Sequence, residues 1–194
     1  MQDINNKTQS AEFQKILNEI YQHTIDVNEK KILERLNDRH RWPKKYPCGL
    51  PSLERIVKDD GFKTQDFFHP TDNYPMLGAL EKIYNDGYTI VISQAQWLFD
   101  DVSVLSERLS TFFGYEIQAN MYLSKGTKVV SYPYHDHDYS VIIKGIFGKS
   151  KWLINDEEKI LENQEVFFID KFVKHCVKEI YDTKFSITFN LLRS

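Results

Sequence analysis

Between residues 116 and 192 turn signals cut the chain into seven short apolar segments, and all seven read as strands. They cover 116–123, 128–134, 140–147, 151–154, 165–169, 176–181 and 185–192. The turn chemistry lies at Lys125 and Gly126, at Gly148, Lys149 and Ser150, at Asn155 and Asp156, and at Asp182 and Thr183. Seven short strands at near-regular spacing specify a sandwich or barrel, so the expected fold is mainly β. The 194 residues include 13 Phe, 11 Tyr and 3 Trp, enough for a sizeable core, and disorder is excluded for most of the length.

The first part of the chain reads differently. Phe13, Ile16, Leu17, Ile20 and Tyr21 recur at helical spacing and form one apolar face. Asp26 followed by Glu29 resembles a capping box that opens a second helix buried through Ile32, Leu33 and Leu36. Pro43, Pro47, Pro51 and Gly49 then break regularity, and 61–75 reads as loop. The seam is expected within 43–75, giving a helical extension and loop over 1–75 and a β-domain over 76–194. That domain opens with a helix over 77–85 closed by Gly87 and a strand over 88–93. A helix then follows through Val102, Leu105, Leu109 and Phe112, capped by Asp100 or Asp101 and ended by Gly114.

Charge and cysteine usage narrow the partners. Twenty-five basic residues against 28 acidic ones leave a net charge of −3, which does not favour nucleic acid or an anionic membrane. No apolar run approaches a membrane span, and residues 1–10 lack the apolar stretch of a secretory signal. Two cysteines, Cys48 and Cys176, are too few for a disulfide scaffold, so a cytoplasmic, reducing setting is expected.

Chemistry concentrates at Tyr134-His135-Asp136-His137-Asp138-Tyr139. Side chains of a strand alternate, so His135 and His137 share a face and can hold one divalent cation. The third ligand is expected from His175, which follows the apolar segment 165–169 and a short turn and opens the next strand. A facial set of three leaves positions open for dioxygen and substrate. If the strand bulges, Asp138 takes the place of His137.

These residues carry a resemblance to the cupins, and within them to the JmjC-type oxygenases, especially the bacterial ribosomal-oxygenase branch. The matching positions are Asn120-Met121-Tyr122, His135, Gly148 to Trp152, and 165–175. The upstream run 87–92 and the helix through Leu105 and Leu109 match in order and spacing, and the likeness covers roughly 75–192. The resemblance implies a double-stranded β-helix (cupin, jelly-roll) barrel with N-terminal helices. It further implies a mononuclear Fe(II) site that uses 2-oxoglutarate and O2 to hydroxylate a protein side chain or a small molecule, and a homodimer through helices outside the barrel. Asn190 matches a family position near the cosubstrate.

Two positions depart from the family pattern. Its second ligand is usually Asp, where this chain has His137; three neutral imidazoles leave the full metal charge on the site, as in the three-His cupin dioxygenases. Its 2-oxoglutarate anchor, a Lys or Arg, falls here on Ser150, with Lys149 and Lys151 as flanking candidates. The readings open at this stage are therefore a 2-oxoglutarate-dependent oxygenase, a three-His dioxygenase or metal-dependent isomerase or lyase without 2-oxoglutarate, and a non-catalytic metal- or ligand-binding cupin.

Weaker candidates follow from alternation in the last strand. Ser186, Thr188 and Asn190 share one face, and Phe185, Ile187, Phe189 and Leu191 the other. A polar face inside a small barrel is costly unless it meets a ligand, water or metal. Tyr122 and Tyr132 are candidates to donate hydrogen bonds to a carboxylate. Cys176 is expected to pack in the wall, and the basic cluster Arg39, His40, Arg41, Lys44 and Lys45 to be a solvated helix end. Trp42, Phe67, Phe68 and Tyr74 are expected to pack on the barrel.

Overall fold

Phe13, Ile16 and Ile20 lie on one face of helix α1 (Ala11–Gln22) and are fully buried. Ser10 caps that helix by accepting a hydrogen bond from the Phe13 amide at 3.1 Å. Tyr21, expected on the same face, is 49% exposed, because it stands at the rim of the apolar stripe. Helix α2 (Glu29–Leu36) buries Ile32 and Leu36. Its cap is Asn28, whose side chain accepts from the Lys31 amide at 2.9 Å, rather than the expected Asp26. Asp26 lies outside the helix and pairs with the Lys31 ammonium at 3.5 Å.

The computed structural model describes residues 7–37, 52–58, 61–62, 78–126 and 132–192, with only the backbone described at 52–58 and 61–62. The expected strand over 128–134 falls mostly outside these residues, as do Cys48, the basic cluster 39–45, Trp42, Phe67, Phe68 and Tyr74.

The 43–75 stretch, read from sequence as irregular, contains β1 (Ser52–Lys58) and β2 (Gly61–Phe62). Charged residues at 54, 55 and 58 hide the apolar alternation there. After α3 (Ala79–Asn85) come β3 (Thr89–Ser93) and α4 (Asp100–Phe113). The residue at the α4 cap position is Phe99, with no side-chain cap bond. Asp100 and Asp101 instead occupy the first turn, where they favour the helix dipole. Gly114 ends the helix at φ +83°, as the sequence predicts.

The remaining strands are β4 (Gln118–Ser124), β5 (Ser140–Phe147), β6 (Ser150–Ile154), β7 (Glu157–Leu161), β8 (Val166–Ile169), β9 (His175–Ile180) and β10 (Lys184–Leu191). Strand β7 has no counterpart in the sequence reading. Four of its five residues are exposed, so it lacks the alternation of a half-buried strand; it is a charged edge strand.

All the strand pairs are antiparallel. A seven-stranded sheet runs β2-β1-β3-β4-β10-β5-β8, and a three-stranded sheet runs β7-β6-β9. The main core lies between the large sheet and the helices, where Phe13, Ile16, Ile32 and Leu109 pack with Met121, Ile142, Ile187 and Phe189. A smaller core of Val141, Ile143, Trp152, Ile154, Leu161 and Ile169 lies between the sheets. These are the two faces of the expected jelly roll: one sheet face against helices, the other against the second sheet.

The Lys144 side chain joins α1 to the barrel. It is completely buried, and its ammonium donates to the Ile20 carbonyl at 2.8 Å, the Gln164 carbonyl at 3.3 Å and the Tyr21 carbonyl at 3.4 Å. The last turn of α1 contains no basic residue of its own, so a lysine from β5 supplies the charge its carbonyls favour.

Candidate metal centre

His135 and His175 form an isolated antiparallel bridge. The His175 amide donates to the His135 carbonyl at 2.8 Å, and the His135 amide to the His175 carbonyl at 3.2 Å. Direct pairing places the two rings side by side, 4.6 Å between centroids. Two residues on, the His137 carbonyl accepts from the Phe172 amide at 2.8 Å, so the chain stays beside the 170–174 turn. The His137 ring then lies 4.8 Å from His175 and 5.8 Å from His135. Further bonds fix the segment. The Tyr134 hydroxyl donates to Asp156 at 3.0 Å, and Ser140 donates to Asp170 at 2.6 Å.

One ligand atom from each of the three histidines lies within 4.8 Å of the others. Each Nδ1 faces a backbone carbonyl at 2.8 Å: Pro133 for His135, Tyr139 for His137 and Val173 for His175. A carbonyl only accepts, so Nδ1 carries the proton and Nε2 keeps its lone pair. Burial pushes the His175 pKa down to about 4 and lowers that of His137; in each the neighbouring imidazoles act in the same direction. His137 and His175 are thus held neutral, the form that ligates. Tyr139 stacks on His137 at 4.3 Å and 4°, and Trp152 lies over His175 at 6.5 Å and 27°. This donor set fits a mononuclear divalent metal.

The cluster opens on a cavity of about 300 Å³ between the sheets. Alternation along two strands fills its wall: Asn120, Tyr122 and Ser124 from β4, and Lys184, Ser186, Thr188 and Asn190 from β10. Phe185, Ile187, Phe189 and Leu191 turn into the main core, so the two-faced reading of this strand holds. Tyr122 and Tyr132 both line the cavity, their rings 6.4 Å apart and Tyr132 5.8 Å from His135. Asp138 is exposed and outside the cluster.

The lysine candidates require correction. Lys149 pairs with Glu162 at 2.6 Å and Lys151 with Glu158 at 3.3 Å, and neither lines the cavity. Both lie on the outer side of the hairpin, where the carboxylates of the 157–162 edge compensate them. Ser150 is buried and accepts from the Trp152 indole at 3.0 Å. The cation that does line the cavity is Lys184, 5% exposed, its ammonium 4.7 Å from the Trp152 ring centroid. Burial pushes its pKa down to about 7. Lys184 opens β10, one residue before the expected strand, and shares the alternation of Ser186, Thr188 and Asn190.

No protein-family model matches the sequence, and no curated protein does either. Among solved structures, YcfD, a ribosomal oxygenase from Escherichia coli, aligns over 89% of this chain with a TM-score of 0.55 at 12% identity. The alignment covers 46% of that protein, so this chain spans less than half its length. Shorter alignments include an RmlC-like cupin from Shewanella frigidimarina, at 22% identity over 40% of this chain and 68% of that one, with a TM-score of 0.35. Salicylate 1,2-dioxygenase from Pseudaminobacter salicylatoxidans aligns at 15% identity over 38% of this chain and 20% of its own, with a TM-score of 0.34. The paired antiparallel sheets, the helices before them and the near full-length alignment identify the chain as a cupin-fold protein with a three-histidine cluster that can hold a metal.

Proposed function

We propose that this protein is a mononuclear non-haem Fe(II) oxygenase, a 2-oxoglutarate-dependent hydroxylase of a small molecule or a protein side chain. The observation that carries the reading is the set of three clustered histidines facing the cavity. Bound there, Fe(II) would supply the redox centre that couples O2 and a 2-oxo acid to oxidation of the substrate.

The residues of the chain do the rest. His135, His137 and His175 would hold the ion, and the cavity they face would admit further ligands. The Pro133, Tyr139 and Val173 carbonyls fix the ring tautomers. Val141, Ile143 and Trp152 provide an apolar wall that limits water, and Asn120, Tyr122, Thr188 and Asn190 present polar groups that orient what enters.

A second reading, a three-histidine dioxygenase without 2-oxoglutarate, is favoured by the all-imidazole donor set and by the engagement of Lys149 and Lys151 in surface ion pairs. Anaerobic titration of the Fe(II) protein with 2-oxoglutarate separates the two. A visible charge-transfer band, followed by succinate formation and O2 uptake on aeration, is expected. Stoichiometric iron without band or succinate would move the assignment to the second reading. Failure of the protein to load iron would sink both.

A further inference from the structure

We propose that Asp170 is a positioning residue of the metal centre. Through Ser140 it ties together the two stretches of chain that carry His137 and His175, and it sets both rings for one ion before an ion arrives. The inference rests on the three-histidine site of the proposed function, but not on the oxidation carried out there.

The tie begins where a ladder ends. Strands β5 and β8 pair as far as Val141 and Ile169. One step further, Ser140 and Asp170 meet through their side chains instead. The Ser140 hydroxyl, 2% exposed, donates to Asp170 Oδ1 at 2.6 Å, the length of a hydroxyl on a carboxylate. The Lys171 amide is shared between the two side chains, at 2.8 Å from Asp170 Oδ1 and 3.1 Å from Ser140 Oγ. Past this point the two chains part, one running back to His137 and the other on to His175.

Each ligand is aimed by a backbone carbonyl close to the tie. His137 Nδ1 donates to the carbonyl of Tyr139, the residue before Ser140. His175 Nδ1 donates to the carbonyl of Val173, whose own amide bonds the Asp170 carbonyl at 3.2 Å and closes a four-residue turn. Within that turn the Phe172 amide donates to the His137 carbonyl at 2.8 Å, so the turn grips the other ligand segment directly. His135 is different. Its Nδ1 donates to the Pro133 carbonyl, outside the tie.

The turn does not hold itself. Phe172 has a φ of +62°, where a bulky side chain is strained. Its ring is 65% exposed, so burial does not offset the strain. Asp170 therefore has a definite task. Its bonds to Ser140 and to the Lys171 amide oppose the return of Phe172 to negative φ, which would swing the Val173 carbonyl away from His175. Ser140, buried at the start of β5, is the fixed point against which the turn is held.

The test reads the rings themselves in the full-length metal-free protein. Imidazole nitrogen resonances at about pH 8.5, above the ordinary histidine range, report the proton on Nδ1 and the bare Nε2. In Asp170→Ala the His137 and His175 signals should move toward those of exchanging tautomers, while the His135 signals stay in place. Co(II) affinity by calorimetry should fall about 10- to 100-fold, the range for losing a partner behind a metal ligand. Asp170→Asn keeps the acceptor oxygen and should retain most of the affinity. Phe172→Gly added to Asp170→Ala should recover part of the loss, because glycine takes positive φ freely. Should Asp170→Ala not fold, Ser140→Ala removes the tie from the other side and is read the same way.

Three rings that shift together, as a general loosening would make them, overturn the proposal. No recovery from Phe172→Gly overturns the part given to the strained turn. A wild type that loads metal, matched by Asp170→Ala in ring signals and Co(II) affinity, would leave the proposed function standing and the tie refuted. A wild type that binds neither Co(II) nor Fe(II) would overturn the proposed function, with the ring signals still deciding the tie.

Discussion

Lys144→Met isolates the electrostatic tie between helix α1 and the barrel. The lysine is completely buried, and desolvation pushes its pKa from 10.5 down to about 8. Between those values the unfolded chain binds more protons than the folded one, so stability rises with pH. The penalty on the charged form is about 3 kcal/mol at neutral pH, from 1.36 kcal/mol per pKa unit. Rather more than half of it is relieved between pH 7 and pH 9.5, about 2 kcal/mol on the same linkage relation. Methionine fills a similar volume without a charge, so the variant loses this rise. It also leaves the Ile20 carbonyl without its 2.8 Å donor, at about 1–3 kcal/mol for a buried acceptor. At pH 7 the two effects nearly cancel; at pH 9.5 a penalty of about 1 kcal/mol remains, smaller than the cost of the lost donor, and the variant is the less stable. Urea unfolding at both pH values reads the difference. The wild-type midpoint should gain on the variant by about 1 M across the interval, for a slope near 2 kcal/mol/M. Lys184 contributes a rise of the same sign starting near pH 7, but it is common to both proteins and drops out of the comparison. Parallel stability curves for wild type and variant would refute the reasoning.

Three further outcomes follow from the geometry. Replacing His175 by alanine, which removes the ligand paired across the bridge to His135, should abolish stoichiometric Fe(II) loading in equilibrium dialysis while the far-ultraviolet circular dichroism stays that of the wild type. Tyr84 is fully buried and its hydroxyl donates to Glu29 at 2.6 Å, joining α3 to α2; Tyr84→Phe should cost about 1–2 kcal/mol in chemical denaturation. Burial and the Glu29 contact raise the Tyr84 pKa, so wild-type stability from this group is lost as pH climbs past the unfolded tyrosine value, and the variant should lack that fall. Lys149→Ala and Lys151→Ala remove exposed ion pairs and should shift stability by no more than about 0.5 kcal/mol, with iron loading unchanged.

Legibility along the chain followed burial. Strands with one face on a core announce themselves by alternation: β5 runs over Ser140–Phe147 as expected from its turn residues, and β10 divides its phenylalanines from its polar residues as the pattern requires. The edge strand β7 escapes the same reading because solvent bathes four of its five side chains and imposes no period. Strand β1 is obscured by its charges and by the prolines before it. Capping is ambiguous where two acceptor side chains stand close together. Asp26 and Asn28 both precede α2, and only the entry path of the chain decides which side chain meets the first free amides.

Read alone, the sequence determined the local and periodic properties of this protein: a β-rich second half, an amphipathic first helix, a last strand with two unlike faces, and a His-x-His pair with a third histidine downstream. Each is set within a few residues, by side-chain alternation or by turn chemistry. What the tertiary structure decided was which distant groups meet. The bridge between His135 and His175 turns three histidines into one donor set. The fully buried Lys144 finds the carbonyls of a helix more than 120 residues away in sequence. Lysines 149, 151 and 184 look alike on the page, and only the register of the strands sends two to surface carboxylates and one into the cavity. Long-range pairing of this kind depends on how the strands close on one another, a property of the whole barrel that no single segment encodes.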